Sequence, residues 1–368
     1  MASRGFVVIS IDYRKCFNEL SGNSIVRAVY RAIQDMRAAI RYTRANAQTL
    51  RIDTNLVFAG GNSAGSFMAV HAAYVEDYQR PASTFSPIDL GCTDCTGNSY
   101  TNDGDPNAVI NLWGAILDTS WIDAGDVPMV SFHGAQDILV FMNSASPFSF
   151  PLFPVCHGSA PMTQRMNNVG VTNEFHIFPN EGHEPWLLSG NAGPKLDFIA
   201  EKSADFLFHE FLKPETPSLI GDFNVCQYDT VTYAVDNDLS SRFCWQVNGG
   251  HIVSSSSNGH QVAVVWDSLG AGSLSVTEIN YLEAAGNAQT LNVNVHPKPD
   301  AGAGEDRSIC LGDSIVMLAT GGTVYSWNPP TGIDNPTVPN PIASPTTSTA
   351  YTAVSYTHLR AHETRRYL

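Results

Sequence analysis

The chain has 368 residues, 43% of them hydrophobic, and a formal net charge of −15. That length supplies material for two or three domains, and the acidic balance argues against nucleic acid or an anionic membrane as the main partner. No apolar run approaches the roughly 18 residues of a membrane span, and residues 1–5 do not read as a cleavable leader.

Residues 6–12, FVVISID, form a continuous apolar run of the kind buried inside a parallel sheet. A chain that opens on such a strand is expected to lack its native beginning. A helix follows, with Ile25, Val29, Ile33, Met36 and Ile40 along one side and Ser24 or Asn23 as its cap. Residues 55–59 predict the next strand. It runs into GGNSAG at residues 60–65 and then a helix to about residue 77. Residues 79–106 are polar and rich in turn formers. They contain GCTDCTGN at 91–98, where Cys92 and Cys95, if the protein is secreted, read as a loop-stapling disulfide in preference to a redox dithiol or half a metal site. Residues 108–116, 127–132 and 173–178 predict three further strands, and about 193–212 a closing helix. This alternation implies an α/β domain, a mostly parallel sheet covered on both faces.

The chemistry lies at the strand ends. Gly61, Ser63 and Gly65 fill G-x-S-x-G between a strand and a helix, where a tight turn lifts the serine hydroxyl clear of the sheet and leaves the Ala64 N–H at a helix start. Asp137 follows the fourth strand and His183 the fifth, and in an open α/β sheet those ends converge on one crevice. A serine hydroxyl needs an imidazole to take its proton, and the imidazole needs a carboxylate to set its tautomer. Asp118, Asp123 and Asp126 compete for the acid but precede the strand. His133, His157 and His176 compete for the base, but His176 lies inside a strand and His133 in the turn before the acid. Asn62 and Trp186, beside the serine and the histidine, are candidate substrate-lining residues. Phe148, Phe150 and Phe153 form either a lid or acyl-pocket rim or, the favoured reading, simply a covered loop.

These residues bring a family into view. SRGFVVISIDYR (3–14), GGNSAGS (60–66), HGAQD (133–137) and EGH (181–183) resemble the α/β-hydrolase superfamily in its carboxylesterase/lipase branch. The resemblance implies ester hydrolysis through an acyl-enzyme, with Ser63 as nucleophile, His183 as base then acid, Asp137 as orienting carboxylate and the Ala64 N–H as an oxyanion donor. No metal or organic cofactor is implied. An H-G-G-G-like oxyanion loop would precede residue 1, and a central strand of the family is missing between the matches of residues 6–12 and 56–58. The expectation is therefore an N-terminally truncated α/β-hydrolase over 1–213, a fragment of reduced activity, with a gap that residues 6–12 must slide across or leave open.

Residues 213–218, KPETPS, are a linker. Beyond it short β-rich runs at 230–235, 242–247, 261–266, 273–279 and 290–295 have the spacing of a β-sandwich. CWQVNGGHI (244–252) and VVWDSLGAGSLSVTEIN (264–280) resemble bacterial PKD-like, immunoglobulin-type modules, which places one such domain at 214–297. Cys226 and Cys244 either cross-link its two sheets or are two buried thiols. Residues 298–354 resemble a second, immunoglobulin-like module, and Trp245, Trp266 and Trp327 read as core residues before glycan binders. Residues 355–368 turn basic without a strand signal and read as a non-native tail resembling translated adapter sequence. Seven cysteines are an odd count, and residues 214–354 carry only three Lys or Arg, a pattern of secreted β-rich modules.

The expected protein is thus a secreted or cell-surface carboxylesterase. Its partners would be a small or polymeric ester and, through the β modules, a cell surface or glycan, with neither nucleic acid nor a membrane span. Its rivals are a serine peptidase using the same three side chains, and a non-catalytic adhesive protein with a degenerate hydrolase domain.

Overall fold

The computed structural model describes residues 1–15, 19, 21–184, 193–236, 241–356 and 361–367, the last of these by backbone alone. The chain divides into two compact units, Met1–Leu212 and Lys213–Leu368. Among the described residues no helix is long and apolar enough to cross a membrane.

The first unit is built on four parallel strands in chain order: β1 (Phe58–Asn62), β2 (Ala108–Leu112), β3 (Met129–Gly134) and β4 (Asn173–Phe178). Side chains alternate between the sheet faces. Val109 and Met129 enter one core with helices α1 (Gly22–Ala45), α2 (Ala64–Tyr74) and α3 (Ser159–Val169). Their neighbours Ala108 and Val130 enter the opposite core, with Trp113, Phe132 and the Ile199, Phe206 and Leu207 of α4 (Gly193–Leu207). β2 stops four residues short of the expected end because Trp113 turns the chain at a φ of 44°.

α1 buries Ile25, Ile33, Met36 and Ile40 of the stripe that its periodicity predicts and leaves Val29 half-buried. Its cap is Ser21, not Ser24 or Asn23; the Ser21 hydroxyl accepts from the Ser24 N–H at 3.3 Å. The same helix buries Arg27, Arg37, Arg41 and Arg44, and these organise the long polar segment after α2. Arg27 donates to the carbonyls of Ser83, Ser86 and Ile88, Arg44 to those of Thr54, Asp103 and Asp105, and Arg41 pairs with Asp94. Loop carbonyls thus receive charged donors and Arg41 a counter-charge, which makes burying four cations tolerable. Within this loop Cys92 and Cys95 are disulfide-bonded.

The expected strand at residues 6–12 is a correction. These residues form no strand, and Val7 and Val8 are 55% and 59% exposed. β1 is the sheet edge; the Phe6 ring packs edge-on against Phe58 at its start, and a cavity of about 380 Å³ lies between the rest of the strand and Val7, Val8 and Ile9. With that space unfilled, the segment's amides do not reach the edge they would have to pair with, so an apolar run that reads as buried stays outside the sheet.

The second unit is mostly β. Strands β5 (Ser218–Ile220), β6 (Asn224–Cys226), β7 (Thr230–Asp236), β8 (Arg242–Asn248), β9 (Gly250–Ser255), β10 (Gln261–Trp266), β11 (Gly270–Ile279) and β12 (Gln289–His296) form two sheets, ordered β8-β11-β12-β6 and β9-β10-β7-β5. Val231, Tyr233, Val264, Trp266, Leu274 and Val293 share their core. No disulfide joins Cys226 and Cys244. β8 alternates, so Phe243 points inward and Cys244 outward, whereas Cys226 is buried. Further on, Met317, Trp327, Tyr351 and Ala353 share a smaller core. Trp266 and Trp327 are buried and Trp245 half-buried, its indole N–H donating to the Gly259 carbonyl.

The basic tail is a second correction. Ala361–Tyr367 forms a strand antiparallel to Ala350–Tyr356. Main-chain pairing is indifferent to side-chain pattern, so an open strand edge accepts a segment whose composition carries no strand signal.

Candidate active site

The site lies at the carboxyl ends of β1, β3 and β4. Ser63 sits between β1 and α2 with φ 51° and ψ −118°, a conformation costly for any residue but glycine. It is held from both sides: its N–H donates to the Leu112 carbonyl, and its own carbonyl accepts from Ser66 and Phe67 in the first turn of α2. The local sequence explains the turn. A Cβ on Gly61 would lie 2.4 Å from the Gly65 carbonyl carbon and 2.8 Å from the Ser66 nitrogen, so strand and helix can approach only over a bare α-carbon. Ala64 opens α2, where first-turn N–H groups have no carbonyl within the helix.

His183 lies in the turn after β4, which is anchored to the turn after β3. The Gln136 N–H donates to the Glu181 carbonyl at 2.9 Å, and a Cβ on Gly134 would lie 2.2 Å from the Gly182 oxygen. The ring bridges the other two residues. Its Nδ1 is 2.7 Å from Asp137 Oδ2 and its Nε2 is 2.9 Å from Ser63 Oγ. An ionised carboxylate can only accept, so Nδ1 carries the proton and donates to Asp137, which leaves Nε2 to accept from the serine hydroxyl. Trp113 packs edge-on against the imidazole with centroids 6.3 Å apart.

The Asp137 carboxylate is almost fully buried. Burial alone would push its carboxyl up, but hydrogen bonds from His133, His183 and the N–H groups of Leu139 and Val140 outweigh it and hold the group well below the usual carboxylate range. The site therefore presents a fixed negative charge to the inner nitrogen of the imidazole.

Sequence reading missed what lies beneath. His133, weighed only as a rival base, is buried, with Nε2 3.4 Å from Asp137 Oδ2 and 2.8 Å from the Val140 carbonyl. Since the carbonyl accepts, Nε2 holds the proton and Nδ1 accepts from the Ser159 hydroxyl at 2.7 Å. Asn111 extends the network: its amide donates to Ser131 and Ser159, and its oxygen accepts from Ser66 at 2.5 Å and from the Gly114 N–H at 2.9 Å. A chain of buried polar groups thus links the helix behind the nucleophile to the turn carrying the acid. The four-residue interval between His133 and Asp137 was the one available signal. Nothing in the sequence pointed to Asn111.

Of the other candidates, Asn62 is at the rim, where its amide donates to Glu184 at 3.1 Å. Trp186 lies outside the described residues. Phe148 and Phe153 line a cavity beside Ser63, and Phe150 does not. Among the described residues no cluster of His, Cys, Asp or Glu has the arrangement of a metal site.

Comparison with known proteins follows the division of the chain. The BD-FAE family matches residues 1–117, and the PKD-like domain family matches residues 213–295. None of the curated proteins matches. Solved structures similar to this chain include Thermogutta terrifontis esterase 2 phosphonylated by cyclosarin, at 21% identity, covering 51% of this chain and 67% of that one with a TM-score of 0.39. The propionate-bound Est2 of the same organism is 21% identical over 51% of this chain and 68% of that one, with a TM-score of 0.38.

Proposed function

This chain carries an esterase domain of the BD-FAE family of α/β-hydrolases followed by a PKD-like domain, and from that premise we propose that it cleaves carboxylic esters through an acyl-enzyme on Ser63. The observation that carries the proposal is the continuous hydrogen-bonded path from Ser63 Oγ through His183 to Asp137.

In this reading His183 Nε2 takes the hydroxyl proton as Ser63 Oγ bonds to the ester carbonyl carbon. The negative charge that develops on the carbonyl oxygen is met by the Ala64 N–H. As the carbon–oxygen bond to the alcohol breaks, the imidazolium returns its proton to the departing oxygen. Water then enters, gives a proton to the same nitrogen, and attacks the acyl carbon. The bond to Ser63 breaks and the proton goes back to Oγ, releasing the acid. Asp137, ionised throughout, steadies the imidazolium that forms twice per turnover.

We place the protein outside the cytoplasm, since residues 214–354, with only three Lys or Arg, have the composition of secreted β-rich modules. In the same reading the PKD-like domain, and the smaller immunoglobulin-like β module after it, hold the hydrolase at a surface or glycan.

The test is labelling with a fluorophosphonate and hydrolysis of p-nitrophenyl acetate. Both are expected of the native chain and lost in Ser63→Ala. Faster cleavage of a peptide p-nitroanilide than of the ester would favour a peptidase. No labelling and no hydrolysis would leave the adhesive, non-catalytic reading.

A further inference from the structure

A cavity of about 390 Å³ opens directly beside the nucleophile, with Ser63 and Ala64 in its wall. This lies in the range of about 300–1,000 Å³ of small-molecule sites. One side is the aliphatic face of α1, contributed by Ile25, Val26, Ala28, Val29 and Ala32. Facing it are Phe67 and Met68 of α2, with Leu117 and Val140. Phe148, Phe153 and Pro154 complete the enclosure.

Apart from Ser63 and the Tyr13 hydroxyl, the polar side chains that line it offer little to a ligand. The Arg14 guanidinium is held by both carboxylate oxygens of Asp35, at 3.0 Å from its Nε, and by the Arg31 carbonyl. Lys15 lies over the Tyr13 ring, and both cations are exposed, which places them at the solvent mouth. Deeper in, the Cys156 thiol donates to the Pro154 carbonyl at 3.4 Å, and burial pushes it up to about 12, so it stays a neutral, oil-like group.

Resting on the esterase reading, we propose that this cavity is the acyl-binding site and that it selects longer apolar acyl chains over acetyl and over polar acyl groups. A cavity entered at the Ser63 oxygen is where one substituent of an ester carbonyl must go, and at roughly 10–15 Å³ for each water-sized group its volume of about 390 Å³ has room for about 26 to 39 such groups, more than any acyl chain up to octanoyl fills. An acetyl group leaves most of it unfilled. A hydroxylated or charged acyl group loses its hydration and meets no free donor or acceptor along the aliphatic wall.

The experiment is kcat/KM for p-nitrophenyl acetate, butyrate, hexanoate and octanoate on the full chain, with 4-hydroxybutyrate as the polar control. Each methylene that leaves water is expected to raise kcat/KM about three- to fourfold, giving about 80- to 250-fold from acetate to hexanoate. Hydroxybutyrate should fall below butyrate. Ala28→Phe, which fills the cavity from α1, should lower the hexanoate-to-acetate ratio at least tenfold. If that variant does not fold, Phe153→Ala, which takes an aromatic ring off the opposite wall, should also lower the hexanoate-to-acetate ratio. A flat or falling series from acetate to hexanoate, with Ser63-dependent acetate hydrolysis intact, would overturn the acyl site and leave the esterase reading standing. Failure of every ester together with failure of fluorophosphonate labelling would remove both.

Discussion

The Asn62 side chain donates a 3.1 Å hydrogen bond to Glu184, so the residue before the nucleophile is tied to the residue after the imidazole. Glu184 adopts a φ of 50°, an unfavourable conformation for a β-carbon-bearing residue. The clasp therefore joins the turn that carries Ser63 to the turn that carries His183, without touching either of those side chains. Asn62→Ala is expected to lower kcat about tenfold with KM nearly unchanged, because a small displacement of a general base is paid for in rate rather than in binding. A comparable rise in KM with kcat intact would show that Asn62 instead contacts substrate.

The two glycines of the serine turn are not equivalent. A Cβ on Gly61 collides with main-chain atoms of Gly65 and Ser66, whereas a Cβ on Gly65 meets nothing within 4 Å. Gly61→Ala should destabilise the first unit by about 3 kcal/mol, the upper end of the cost of overpacking, and abolish fluorophosphonate labelling. Gly65→Ala should fold and label like the native chain. Thermal unfolding of the two variants side by side checks this.

Asp137 is ionised and Nδ1 of His183 donates to it. Asp137→Asn presents an amide that can donate in turn, and the imidazole is then free to settle in the tautomer that cannot accept from Ser63. A fall of about 10⁴ in kcat at neutral pH is expected, with the fold retained, since the Leu139 and Val140 N–H groups still find an oxygen. Ester hydrolysis by a well-folded D137N variant at the native rate would show that the carboxylate has no part in the reaction.

His71 supplies a pH dependence of stability. Burial lowers its pKa to about 4, against a weaker opposing effect of the Phe67 carbonyl, while its Nε2 accepts from the Leu117 N–H. Between about 4 and 6.5 the unfolded chain therefore binds a proton that the folded one does not, and stability falls as pH is lowered through that window. At pH 5 the loss relative to pH 7.5 is about 2 kcal/mol. Asp105, raised to about 6 by burial, titrates in the same range with the opposite sign. The difference between the native chain and His71→Gln isolates the histidine: it should shrink by that amount between pH 7.5 and 5, read from hydrogen exchange of the α2 amides.

Much of the first unit is legible along the chain. β4 has the bounds its residues predict, and α1 buries most of the stripe its period predicts. Local periodicity reports which side of an element leaves water, and an element can be read from it wherever its neighbours are the usual ones. Residues 6–12 show the limit. Their composition is that of a buried strand, yet burial depends on a partner at the adjacent edge, and the space beside β1 is empty. The strand formed by Ala361–Tyr367 is the converse: its composition carries no signal, and an open edge supplies the bonds.

The choice of Ser63, Asp137 and His183 as candidates, and the glycine that the serine turn demands at Gly61, were legible in the sequence alone, because chemistry and backbone sterics act on residue types. Only the tertiary structure decided that one imidazole spans the other two side chains, that His133 and Asn111 brace the site from below, and that an apolar cavity opens beside the nucleophile. Those are distances between segments far apart in the chain, and they follow from how the sheet and its covering helices pack, which no local pattern encodes.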